Sequence, residues 1–124
     1  MSAQLNYITS GRMEITLEGM KFGKHFKDPQ QNVKHFGTNG SKIELESADQ
    51  GNFTEWGSIE LIDLTQWTGK ITVSIDCDKW AFFGTAQFQL VINGQIILND
   101  NFQSGVKGPL GNPKMVKQYA IGNF

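Results

Sequence analysis

Planar amides and indoles stand out among the side chains able to do chemistry. The 124 residues include nine Asn, ten Gln and three Trp. A neutral sugar offers hydroxyls, which pair with the donor and acceptor of an amide, and C–H faces, which stack on an aromatic ring. Trp56 follows Asn52 and Glu55, and Trp67 follows Gln66 just before Thr68-Gly69. Trp80 follows Asp76 and Asp78, and Asn99-Asp100-Asn101 comes shortly after Asn93-Gly94. This pattern points to a non-enzymatic, lectin-like glycan-binding protein with Trp56, Trp67, Trp80, Asn99, Asp100 and Asn101 as carbohydrate contacts. A Trp is also a common core residue, so each indole has a packing role as its alternative.

Other chemistry has thinner support. Asp76 and Asp78 fall on one face of a strand, and Asp49 or Glu55 could join them around Ca²⁺, which takes six to eight oxygens. The D-x-D-x-D-G calcium pattern is absent, and a solvated strand face accounts for both aspartates equally well. His25 and His35 lack the spacing that fixes two metal ligands together. Cys77 is the one cysteine, so neither an internal disulfide nor a thiolate zinc site can form. No G-x-S-x-G, H-E-x-x-H, P-loop or dinucleotide fingerprint occurs, and no enzyme activity is expected.

Charge is nearly balanced overall, at −1, but segregated along the chain. Lys21 to Lys42 holds five Lys and one Asp, together with His25, His35, Phe22, Phe26 and Phe36. Glu44 to Asp78 holds eight acids against Lys70. The basic segment suits phosphate, a sulfated sugar or an anionic membrane surface, which supports a membrane-active or toxin-like alternative. Nucleic acid is not expected as a partner, because Arg12 is the only arginine and base readout leans on arginine. Met1 to Ser10 has neither a basic n-region nor an apolar run, and no stretch is long enough for a transmembrane helix. The expectation is a cytoplasmic protein, or one released without a recognisable signal peptide.

Strands are the elements that must position these groups. Met13, Ile15 and Leu17 alternate with Glu14, Thr16 and Glu18; Ile43 and Leu45 alternate with Lys42, Glu44 and Glu46; Ile71, Val73, Ile75 and Cys77 alternate with polar residues. Ala86 to Leu98 reads as a hairpin around Asn93-Gly94, the favoured type I′ dipeptide. That turn sets Ile92 opposite Gln95, Val91 opposite Ile96 and Leu90 opposite Ile97, so Val91, Ile96 and Leu98 share the face away from the core. A second apolar face suggests burial between copies of the chain, and with it a rival reading as an assembly protein of a phage or injection system. Further strands are expected near Gln4 to Thr9, Gly57 to Leu61 and Met115 to Ile121, with one helical turn from Asp63 to Trp67. Long loops are expected near 22–41 and 99–113. These elements make one all-β domain over 1–124: an antiparallel sandwich, or a small barrel, of about seven to nine strands.

Overall fold

Alternation sets the direction of each strand. Met13, Ile15 and Leu17 are buried beside half-covered Glu14 and Thr16, and Ile71, Val73 and Ile75 are buried beside half-covered Thr72 and Asp76. The computed structural model describes residues 2–9, 12–29, 33–36, 41–46, 56–62, 64–76, 86–102 and 114–121. Its strands are Ala3–Thr9 (β1), Arg12–Leu17 (β2), Lys21–Lys27 (β3), Val33–Phe36 (β4), Lys42–Glu46 (β5), Gly57–Ile62 (β6), Lys70–Asp76 (β7), Ala86–Ile92 (β8), Gln95–Phe102 (β9) and Lys114–Ala120 (β10). The helical turn among the described residues is a 3-10 turn at Leu64–Gln66; Asp63, its expected cap, lies outside them.

Two five-stranded sheets result, in the orders β3-β6-β1-β8-β9 and β10-β7-β2-β5-β4. Every pairing within them is antiparallel. Leu5, Tyr7, Phe88 and Leu90 of the first sheet meet Met13, Ile15, Ile71 and Ile75 of the second in a fully buried layer. Among the described residues no strand pairs across the two sheets, so the fold is the expected sandwich and the barrel alternative falls away. No described helix is long and apolar enough to cross a membrane, a finding that does not bear on strand-built membrane proteins.

Two expectations about loops are corrected. The stretch 22–41 contains β3 and β4, one edge strand of each sheet, and β4 adds to the strands that alternation suggests. The stretch 99–113 begins inside β9, which runs to Phe102, and 103–113 lie outside the described residues. In β3 the two register shifts against β6 interrupt the period of two, so alternation does not reveal the strand.

The hairpin turn forms as expected, with Asn93 at φ 52° and Gly94 at φ 77°, the two positive values of a type I′ turn. Asn93 also ties the turn to the start of β1: its N–H donates to Ser2 O at 2.8 Å, and its Oδ1 accepts from Ser2 N at 3.1 Å. Ile92 faces Gln95 and Val91 faces Ile96, but the register then shifts, and Leu90 faces Leu98. Ile97 is the extra residue of a bulge, and a one-residue slip exchanges faces. Leu98 therefore packs against the core and does not share the outer face with Val91 and Ile96.

Gly57 allows one close approach. It pairs with Tyr7, whose ring fills the space where a Cβ would sit. The ring also meets His25 of β3 edge-on, with centroids 6.5 Å apart. Burial foremost, and the charge of Asp28, push the Tyr7 phenol far above its ordinary pKa.

Candidate functional site

The register of β6, β1, β8 and β9 orders the polar positions of the first sheet into rows across its outer face. One row is Ser58, Asn6, Gln89 and Asn99. On one side of it lie Glu60, Gln4, Val91 and Ile96. On the other lie Ile8, which is buried, Gln87 and Asn101. Residues facing each other on paired strands share a face, and strands lie about 4.8 Å apart, so the rows span about 14 Å from β6 to β9.

Hydrogen bonds fix part of this array. Gln4 Nε2 donates to Asn6 Oδ1 at 2.9 Å and to Ser58 Oγ at 3.2 Å. Asn6 Nδ2 donates to Gln89 Oε1 at 3.2 Å. Asn6 and Gln89 are thus held as a unit, while Asn99 and Asn101 are exposed at its rim. An amide bonded through one of its groups is oriented and still has donors and acceptors to offer. Such a surface can read hydroxyls. Glu60 is the one carboxylate in the three rows, so these rows place no pair of acids for acid–base catalysis.

The six residues expected to contact sugar therefore divide. Asn99 and Asn101 come to the same outer face, and Trp56, half-buried, directly precedes β6. Trp67 goes elsewhere: it packs against the core after the 3-10 turn, and its indole N–H donates to Lys70 O at 2.9 Å. Trp80 lies outside the described residues, as do Asp78, Cys77, Asp49 and Glu55.

Asp100 points the opposite way from its two asparagine neighbours and joins the edges of the two sheets. Its carboxylate accepts the Tyr119 hydroxyl of β10 and the Asn101 N–H, the latter at 2.8 Å, and lies 3.5 Å from Lys117 Nζ. Lys117 also donates to Asn101 O at 2.7 Å and sits 5.1 Å from the centre of the Phe102 ring. Burial opposes ionisation of Asp100, but the bonds from Tyr119 and Asn101 and the ammonium of Lys117 outweigh it and hold the carboxyl below its ordinary pKa. Burial and the same carboxylate push the Tyr119 phenol up. Asp100 is therefore a clasp between sheets, turned away from the outer amide face of the first sheet.

The other expected residues separate similarly. Asp76 lies 3.6 Å from the Arg12 guanidinium, which supplies the positive charge a cation would bring. Among the described residues no three His, Cys, Asp or Glu gather as a metal-binding group. Val91 is half-buried and Ile96 is 57% exposed, and they face each other on the outer side of the hairpin. A separate recess of about 350 Å³ at one end of the second sheet is lined by Thr16, Glu18, Lys21, Ser41, Lys70 and Thr72.

Gln4, Asn6, Ser58, Gln87 and Gln89 are the members of the array that sequence reasoning missed. The available signal was Gln4-x-Asn6 and Gln87-x-Gln89, amides at the wet positions of two alternating strands. Compared with protein-family models, curated proteins and solved structures, the chain matches none.

Proposed function

We propose that this protein is a non-enzymatic glycan-binding sandwich whose site is the outer face of β6, β1, β8 and β9. The observation that carries the reading is the hydrogen-bonded amide array of Gln4, Asn6 and Gln89, rimmed by Asn99 and Asn101; we assign Trp56, which directly precedes β6, as its stacking partner. Neutral hydroxyl-rich sugars fit it best, because the array offers paired donors and acceptors and carries little charge. A span of about 14 Å accommodates two or three sugar rings lying across the strands.

A glycan array, probed with calcium and with chelator, tests the reading. Selective binding is expected, and Gln89→Ala should weaken it about fivefold, the worth of about one hydrogen bond. Trp56→Ala should weaken it about tenfold or more through lost stacking, whereas Trp67→Phe should leave it unchanged. The reading fails if folded protein binds no glycan selectively, or if Trp56→Ala and Gln89→Ala both keep full affinity. Binding is expected to be the same with calcium and with chelator, since Asp76 is paired with Arg12 on the other sheet.

One observation favours the rival reading as an assembly protein: the outward apolar pair Val91 and Ile96. It calls for a self-association that Ile96→Lys abolishes, measured by sedimentation at high concentration.

A further inference from the structure

β3 and β4 are the edges of the two sheets on the flank opposite the Asp100 clasp, and β3 reaches β5 across the core. Neither edge strand contains an acid: β3 reads Lys-Phe-Gly-Lys-His-Phe-Lys and β4 reads Val-Lys-His-Phe. The repeated Lys-His-Phe tripeptides at 24–26 and 34–36 thus lie on the two strands that border one flank.

β3 is not a regular edge. Its register against β6 shifts between Phe22 and His25 and again between His25 and Lys27. Phe26 falls at the second shift and is 53% exposed, with exposed Lys24 and Lys27 on either side of it in sequence. His25 instead turns its ring toward the buried Tyr7. Asp28, the one acid between Lys21 and Lys42, stands close enough to Tyr7 for its charge to act on that phenol. Ile62, opposite Lys21, adds a second apolar side chain at 38% exposure along the same strand pair.

We infer that this flank docks on the surface of a bilayer containing anionic phospholipid, with Phe26 entering the headgroup layer and Lys24 and Lys27 meeting phosphates. An exposed phenylalanine between lysines is the pairing that an interface with an apolar interior and an anionic surface rewards. A sulfated polysaccharide would use the lysines but gain nothing from an exposed Phe26, and the flank lacks the arginines that grip sulfate in two-point fashion. The docking involves only the edge strand, so it stands independently of glycan binding on the outer face.

Vesicle co-sedimentation tests it, using phosphatidylcholine alone and phosphatidylcholine with about 30 mol% phosphatidylserine, at low and high salt. Binding to the anionic vesicles only, lost at high salt, is expected. The pair Lys24→Gln with Lys27→Gln should lower the partition coefficient about 25-fold, from about fivefold per lysine near a charged surface. Phe26→Ala should lower it several-fold with an unchanged circular dichroism spectrum. Equal binding to neutral vesicles, no binding to either, or full binding by the lysine variant would overturn the inference. Retention on heparin without vesicle binding would overturn it too, reassigning the flank to a sulfated chain.

Discussion

Replacing Gly57 by alanine tests how the core holds the outer face of the first sheet in place. The added Cβ would lie 2.6 Å from Oη of Tyr7 and closer still to Cζ and Cε2, whereas ordinary contact begins near 3.4 Å. Tyr7 is fully buried, so its ring has no solvent to retreat into, and either ring or strand must move by about 1 Å. Overpacking of this kind costs about 2–3 kcal/mol. Losing a flexible glycine from the unfolded chain offsets about 0.4–1 kcal/mol of that. The net expectation is about 1–2.5 kcal/mol, a fall in Tm of about 4–10 °C for a domain of this size. Gly57 lies between Trp56 and Ser58, so the same shift should move both against Asn6 and weaken any glycan binding. Denaturant unfolding of a double-mutant cycle with Tyr7→Leu isolates the cause, since removing the ring should abolish the cost of Gly57→Ala. If Gly57→Ala costs the same in both backgrounds to within about 0.5 kcal/mol, a clash with the ring is not the cause.

The clasp and the bulge give two further expectations. The Asp100 carboxyl titrates lower in the folded chain than its unfolded value of about 3.9, so its contribution is fully present above that value and disappears as pH falls through the folded pKa. Asp100→Asn should therefore cost about 1 kcal/mol at pH 7, kept small by solvent screening, and that cost should shrink below about pH 4; thermal melts across pH would show it. For the bulge, Ile96→Lys on the outer face should change stability by less than about 0.5 kcal/mol, while Leu98→Lys against the core should cost about 2 kcal/mol or more, and equal effects in urea titrations would contradict the register shift.

The strands that bury a regular apolar period were legible in the sequence, and β1, β2, β7 and β8 sit where Leu5, Met13, Ile71 and Leu90 place them. Two features were not legible, for separable reasons. In Ile96-Ile97-Leu98, three apolar residues in a row satisfy either register, so nothing local reveals that Ile97 is the extra residue. In β3, the extra residues near His25 and Phe26 break the period of two, and Lys and Gly fill positions that a central strand would make apolar. The candidate site was half legible. Asn99 and Asn101 stood out by composition, but as loop residues, when their place on a face comes from β9 pairing with β8. Asn6 and Gln89, 83 residues apart in the chain, become neighbours only through the sheet order, which alternation does not contain.

The contrast between the two outer faces argues for a site and against a merely wet surface. Both are polar by the same alternation, but their polar groups are used differently. On the second sheet, Arg12 pairs with Glu44 and Asp76 at 3.6 Å, and Lys42 lies 3.9 Å from Glu14. Opposite charges on neighbouring strands satisfy each other and favour solubility and strand register. On the first sheet, Gln4, Asn6 and Gln89 are linked by neutral bonds that orient each amide without exhausting it. Surface solvation alone needs no such order, and lysine or glutamate would serve it with less risk of strand-to-strand association. Amides linked across two neighbouring strands, with further amides at the rim on a third, are instead what recognition of hydroxyls requires: fixed donors and acceptors whose ordering cost is met before the ligand arrives.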